Sequence, residues 1–164
     1  MQGWRKRMED SHINDLDIGP SNKTQLFGVF DGHGGNEVAK FVQNHFTEEF
    51  LKNPNYLKND PKKALEETFQ KMDQLMLEKE GSEELLYEYK KSKEEAEKIK
   101  ENNKNAQIEM LRQVIDPKEQ PDAKISMFTG CTANVLVVQD KKLIFANAGD
   151  SRCVLCRKGT AVPI

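Results

Sequence analysis

An acid followed by glycine, histidine and two more glycines, Asp31-Gly32-His33-Gly34-Gly35, stands directly after the apolar run Thr24–Phe30. The run reads as a buried strand, apolar and partly alternating. A chain that leaves a buried strand through such a segment bends there, because glycine takes backbone angles closed to other residues. The bend leaves a carboxylate at the strand's end and lets the next carbonyl face the same point. Such oxygens suit hard dications such as Mg2+ and Mn2+, so Asp31 and the Gly32 carbonyl are candidate metal ligands. His33 adds a group that titrates near neutral pH. The plainer alternative is a glycine-rich turn that only leads into a helix. A dinucleotide site is excluded, since the spacing is not G-x-G-x-x-G and no strand–helix–strand unit follows.

The segments on either side set the organisation. Asn36 is placed to cap a helix opening at Glu37 and carrying Val38, Phe41, Val42, His45, Phe46 and Phe50 at spacings of three and four. Asn53-Pro54-Asn55 stops it. From about Pro61 to Asp116 the pattern is helical throughout, with a core-facing stripe of Leu65, Phe69, Met72 and Met76. Within it, 16 of the 27 residues from Glu78 to Lys104 are Glu or Lys. So charged a piece buries little, and is expected to be a solvent-projecting helical insertion held partly by pairs such as Glu94 with Lys98. Ile108, Leu111, Val114 and Ile115 restore the stripe. From about Ser126 the pattern is β. Thr132–Val138 and Leu143–Ala148 are strands joined by a turn at Gln139-Asp140-Lys141, a third runs through Arg152–Cys156, and Gly159 makes the next turn. The first two are apolar on both faces and are expected to be covered on each side.

Composition excludes several classes of function. Lys plus Arg is 25 against 27 Asp plus Glu, a net charge of −2, which argues against a nucleic-acid binder. No run of about 18 apolar residues exists, so no membrane helix is expected. No signal-peptide stretch is present. Three cysteines, all late in the chain, do not make a disulfide framework and fit a reducing compartment, cytoplasmic or nuclear. Cys153-x-x-Cys156 lacks a second pair or nearby histidines and is read as structural. His12 and His45 are read the same way, with His45 packed on the core, and Trp4 is expected to bury its ring beside the first strand of the site.

Weaker signals surround the strong one. In Arg5-Lys6-Arg7-Met8-Glu9-Asp10, the Arg5 fork matches two phosphate oxygens, and Glu9 and Asp10 suit a hard cation. The alternative is a surface charge cluster. Asp150, in Gly149-Asp150-Ser151-Arg152, is either a turn former or an accessory metal residue. Carboxylates about 4 Å apart repel by about 4 kcal/mol at an effective dielectric of 20. A cluster of Glu9, Asp10 and Asp31 therefore calls for cations among it, and such cations bring bound water toward neutral pKa.

Taken in order, Arg5-x-x-Met8-Glu9-Asp10, Asp31-Gly32-His33-Gly34-Gly35, Gly130-Cys131-Thr132-Ala133 and Gly149-Asp150-Ser151-Arg152 resemble the metal-dependent Ser/Thr protein phosphatases, the PPM or type 2C family. The resemblance implies an α+β fold, a four-layer αββα sandwich of two antiparallel sheets flanked by helices. It implies two Mg2+ or Mn2+ ions per complete site, with Asp31 bridging them, the Gly32 carbonyl on one, Glu9 at the same site and Asp10 acting through water. Arg5 would hold the substrate phosphate and His33 would protonate the leaving serine or threonine oxygen. A metal-activated water would attack phosphorus, so no phospho-enzyme is expected. Substrates would be phosphoproteins. The protein is expected to be a monomer, with partner docking on the charged insertion as a minority role.

Two later metal-binding aspartates of the family pattern do not occur, and the chain stops just after a strand pattern. The chain is therefore expected to be a truncated PPM-type domain spanning 1–164, with the insertion at 78–104. This keeps open a catalytically incomplete pseudophosphatase or regulatory fragment, and a helical interaction protein built on residues 61–115.

Overall fold

The computed structural model describes residues 2–5, 7–19, 24–102 and 129–164, with backbone alone for 96–102. Its centre is an antiparallel sheet in the order β1-β2-β5-β6, formed by Ser11–Ile18, Thr24–Phe30, Ala133–Gln139 and Lys142–Ala148. Two short ribbons accompany it: β3 (Gly32–His33) with β4 (Gly130–Cys131), and β7 (Val154–Arg157) with β8 (Thr160–Pro163). The helices are α1 (Glu37–Lys52), α2 (Pro54–Leu57), α3 (Pro61–Leu77) and α4 (Lys79–Asn102). The fold is α+β, with antiparallel sheets and helices.

Alternation along the strands explains which face is packed. Thr24, Leu26, Gly28 and Phe30 of β2 and Val135 and Val137 of β5 point one way and are buried. Against them lie Phe46 and Phe50 of α1 and Leu65 and Met72 of α3. Phe46 joins the two layers, its ring centroid 6.1 Å from Phe30 and 5.5 Å, edge-on, from Phe69. The opposite face is not covered among the described residues. Val29 and Leu143 there are 54% and 47% exposed, while Leu136, Val138 and Phe145 are half-buried. The β5–β6 turn is the tight Asp140-Lys141 loop, with Asp140 at φ 55°.

Helix boundaries follow local chemistry. Pro61 occupies the first turn of α3, and the Asp60 side chain accepts a hydrogen bond from Lys63 N–H. Asn53 ends α1 and caps α2 through its Oδ1, 2.8 Å from Asn55 N. Asn36 sits at the N-cap of α1 but makes no side-chain capping bond, because its Oδ1 accepts from Ser92 Oγ instead. The long helical stretch is broken at Glu78, whose extended backbone (ψ 161°) separates α3 from α4. The stripe expected at Ile108, Leu111, Val114 and Ile115 lies outside the described residues, as does the Lys98 side chain of the expected Glu94 pair.

The first turns of α4 do not project into solvent. Leu85 is 1% exposed. Four polar contacts tie α4 antiparallel to α1: Ser92 to Asn36 (3.1 Å), Lys40 to Glu88 (3.1 Å), and Asn44 and His45 to Glu84 (3.4 and 2.7 Å). The charge count misled here because four-residue spacing puts the acids against α1 while Leu85 turns inward. Leu85→Ala is expected to cost about 2–5 kcal/mol of stability. Leu86→Ala, next along the chain and 42% exposed, should change it by less than about 0.5 kcal/mol. Denaturant unfolding of the two variants checks this.

Candidate active site

Asp31 leaves β2 at the end nearest β4. Its carbonyl accepts from Thr132 N–H at 2.9 Å, and Asp31 N–H lies 3.4 Å from Thr132 Oγ1. Thr132 Oγ1 is in turn 2.6 Å from Ser151 Oγ. Gly32 and His33 pair with Cys131 and Gly130, so the segment 130–133 is stitched directly to the Asp31 loop. Gly149 packs on Thr132 from the other side. Glu9 closes the group, since its backbone carbonyl sits against the Gly32 Cα where any side chain would collide with it. Four segments spread along the chain from Glu9 to Ser151 thus meet at one end of the sheet.

Side chains are distributed less tightly than the backbones. Asp31, His33, Arg5 and Asp10 are exposed, and Glu9 is half-buried. Among the described residues no three His, Cys, Asp or Glu side chains converge within metal-ligating range. The donors that are present fit a hard dication in kind: carboxylates on Asp31 and Glu9 and the carbonyl of Gly32, all oxygen. The exposure of Asp31 leaves room for the several waters that Mg2+ keeps. Arg5 belongs to a turn in which its N–H donates to the Gln2 carbonyl (3.2 Å) and Gln2 Nε2 donates to the Arg5 carbonyl (2.9 Å). Asp150 lines an open cleft of about 410 Å³ together with Asn134, Asn147, Ser151 and Arg152.

One expectation around the site fails. Trp4 is fully exposed, because the Gln2–Arg5 turn, with Gly3 at φ 59°, carries its ring away from the sheet. His45 packs on the core as expected, at its half-buried edge. It stacks on Phe41 at 4.4 Å and meets Glu84, on the side of α1 that faces α4. Thr132 as the joint between Asp31 and Ser151, and the burial of Glu37, were not foreseen. Thr132 stands inside a quoted motif, but nothing local marks its hydroxyl as a bridge. A charged residue just after a cap position is the ordinary sign of a surface acid.

All three cysteines are free thiols. Burial, with the carboxylates of Asp73 and then Asp31 adding to it, pushes the Cys131 thiol up to about 11 from its ordinary 9.0. Between those two values the unfolded chain has lost the proton and the folded one keeps it. The Cys131 contribution to stability is therefore complete below about pH 9 and falls as pH rises toward 11. Iodoacetamide at pH 8 should label exposed Cys156 at least about tenfold faster than Cys131, read by peptide mass spectrometry.

The sequence model of "Protein phosphatase 2C" matches residues 1–88 and 77–164. With this arrangement of motifs, that match places the chain in the protein phosphatase 2C family. It is 44% identical over 160 residues to "Protein phosphatase 2C 1" of Paramecium tetraurelia, an alignment covering 98% of this chain and 42% of that protein. It is 39% identical over 177 residues to "Probable protein phosphatase 2C 21" of Arabidopsis thaliana, covering 98% and 46%. The match to "Probable protein phosphatase 2C 58" of Oryza sativa subsp. japonica is 39% over 176 residues, covering 98% and 44%. The chain thus spans less than half the length of these curated relatives.

Proposed function

We propose that this chain belongs to an enzyme that hydrolyses phosphoserine and phosphothreonine on protein substrates with Mg2+ or Mn2+. The observation that carries the reading is the meeting of the Glu9, Asp31, Thr132 and Ser151 segments at one end of the sheet. Asp31, Glu9 and the Gly32 carbonyl would hold the cations. When bound, these supply an activated water and neutralise charge on the phosphate. Arg5 binds the phosphate, its planar fork matching two oxygens, and its exposure lets it swing to meet an incoming phosphopeptide. His33 protonates the departing serine or threonine oxygen. No side chain acts as nucleophile, so no phospho-enzyme forms.

A second reading, a binding fragment without turnover, is favoured by the absence of three converging acids among the described residues. One experiment separates the two. A phosphothreonine peptide is incubated with the protein and Mn2+, then with EDTA, and phosphate release is followed. Release that stops in EDTA and returns with Mn2+ supports the enzyme. Mn2+ binding by calorimetry without any release supports the second reading. Equal release in EDTA overturns metal-assisted hydrolysis.

A further inference from the structure

Glu37 opens α1 two residues beyond the glycine pair, and an acid in a first helical turn complements the helix dipole. Its burial is unusual: the residue is 3% exposed, and its Oε2 has no hydrogen-bond partner among the described residues. The dipole lowers the cost of that charge but offers the oxygen no donor, and a buried oxygen so left asks for water or an ion. The carboxylate lies against Gly35, where a built Cβ would meet Oε2 and come within 2.9 Å of Cδ. The Gly35 carbonyl oxygen in turn stands 3.1 Å from a Cβ built on Gly32. A single residue, Gly35, therefore separates the unpartnered acid from the glycine whose carbonyl is a candidate metal ligand.

We infer that Glu37 is a positioning residue of the metal site, accepting hydrogen bonds from water on a dication held at Asp31 and the Gly32 carbonyl. The inference rests on the proposed function. Water on a dication is a strong donor, Mg2+ and Mn2+ retain several such waters, and a carboxylate one layer out orients them. The same contact bears on the loop at Gly35, while the Glu9 carbonyl bears on it at Gly32.

The test is Mn2+ titration calorimetry on the full chain, with melting temperatures recorded without metal. Glu37→Gln keeps the shape and removes the charge. It is expected to weaken Mn2+ binding by about tenfold or more, while the metal-free melting temperature holds or rises. A merely structural acid would not split the two readouts in this way. Unchanged Mn2+ affinity in Glu37→Gln, with binding abolished by Asp31→Asn, overturns the inference and leaves the phosphatase reading intact. Mn2+ affinity indifferent to both substitutions overturns the reading and the inference together. Should Glu37→Gln not fold, Glu37→Asp keeps the charge and shortens its reach. A weakening of a few fold there supports the inference, and none overturns it.

Discussion

Gly32→Ala is expected to lower both Mn2+ affinity and phosphopeptide hydrolysis by about a hundredfold or more, while the four-stranded sheet survives. The added methyl group would collide with the Glu9 carbonyl oxygen and stand 3.1 Å from both the Glu9 carbonyl carbon and the Gly35 carbonyl oxygen. These are backbone atoms, so no side chain can rotate to make room. Either the Glu9 segment retreats or the Gly32 loop does, and both carry candidate ligands. A shift of about 1 Å at a reacting centre costs on the order of a hundredfold in rate. The sheet is insulated, because its packing rests on Leu26, Phe30, Val135 and Val137, all at 0% exposure and on the inner face. Calorimetry with Mn2+, peptide hydrolysis and far-UV circular dichroism on the same variant check the claim. Wild-type Mn2+ affinity in Gly32→Ala would remove the Gly32 carbonyl from the metal site.

The elements legible from sequence were those whose pattern is local. β2 and α1 carry their own periodicity and stop signals, and pattern and structure agree there to within a residue or two; α3 shows its start at Pro61 but not its end, because the helical pattern runs on past Glu78. β1 was not read. Ser11–Ile18 contains Asn14, Asp15 and Asp17, residues poor in strands, and its order comes from antiparallel pairing with β2 and from inward Ile13 and Ile18. The same limit shaped the site. Asp31, Gly32 and Glu9 were nameable from residue types and order, yet their assembly depends on hydrogen bonds such as Asp31 N–H to Thr132 Oγ1, across 101 residues. Glu37 and Trp4 show the converse. Their local context says surface acid and buried ring, and backbone geometry decides against both: the Gly34–Gly35 turn folds over the acid, and the Gln2–Arg5 turn holds the ring out.

Gly130→Ala should act on the same ribbon in the opposite way, by sparing the metal and removing the proton donor. A Cβ built on Gly130 stands 2.6 Å from His33 Nε2 and 2.9 Å from Cε1. Both atoms belong to the far end of an exposed ring that can swing aside, so the β3–β4 pairing of Gly32 with Cys131 need not change. What changes is where the imidazole sits. A positioned general acid contributes about 10²- to 10⁴-fold. The expected result is a loss in that range in kcat at saturating Mn2+, with Mn2+ affinity and melting temperature unchanged. His33→Gln should show the same loss, and the double variant should be no worse than either single one, because the two changes remove one function. A substrate whose leaving oxygen needs no proton, such as p-nitrophenyl phosphate, should be hydrolysed nearly as fast by Gly130→Ala as by the unaltered chain. Equal losses on both substrates would assign the defect to the loop as a whole and take the proton-donor role away from His33.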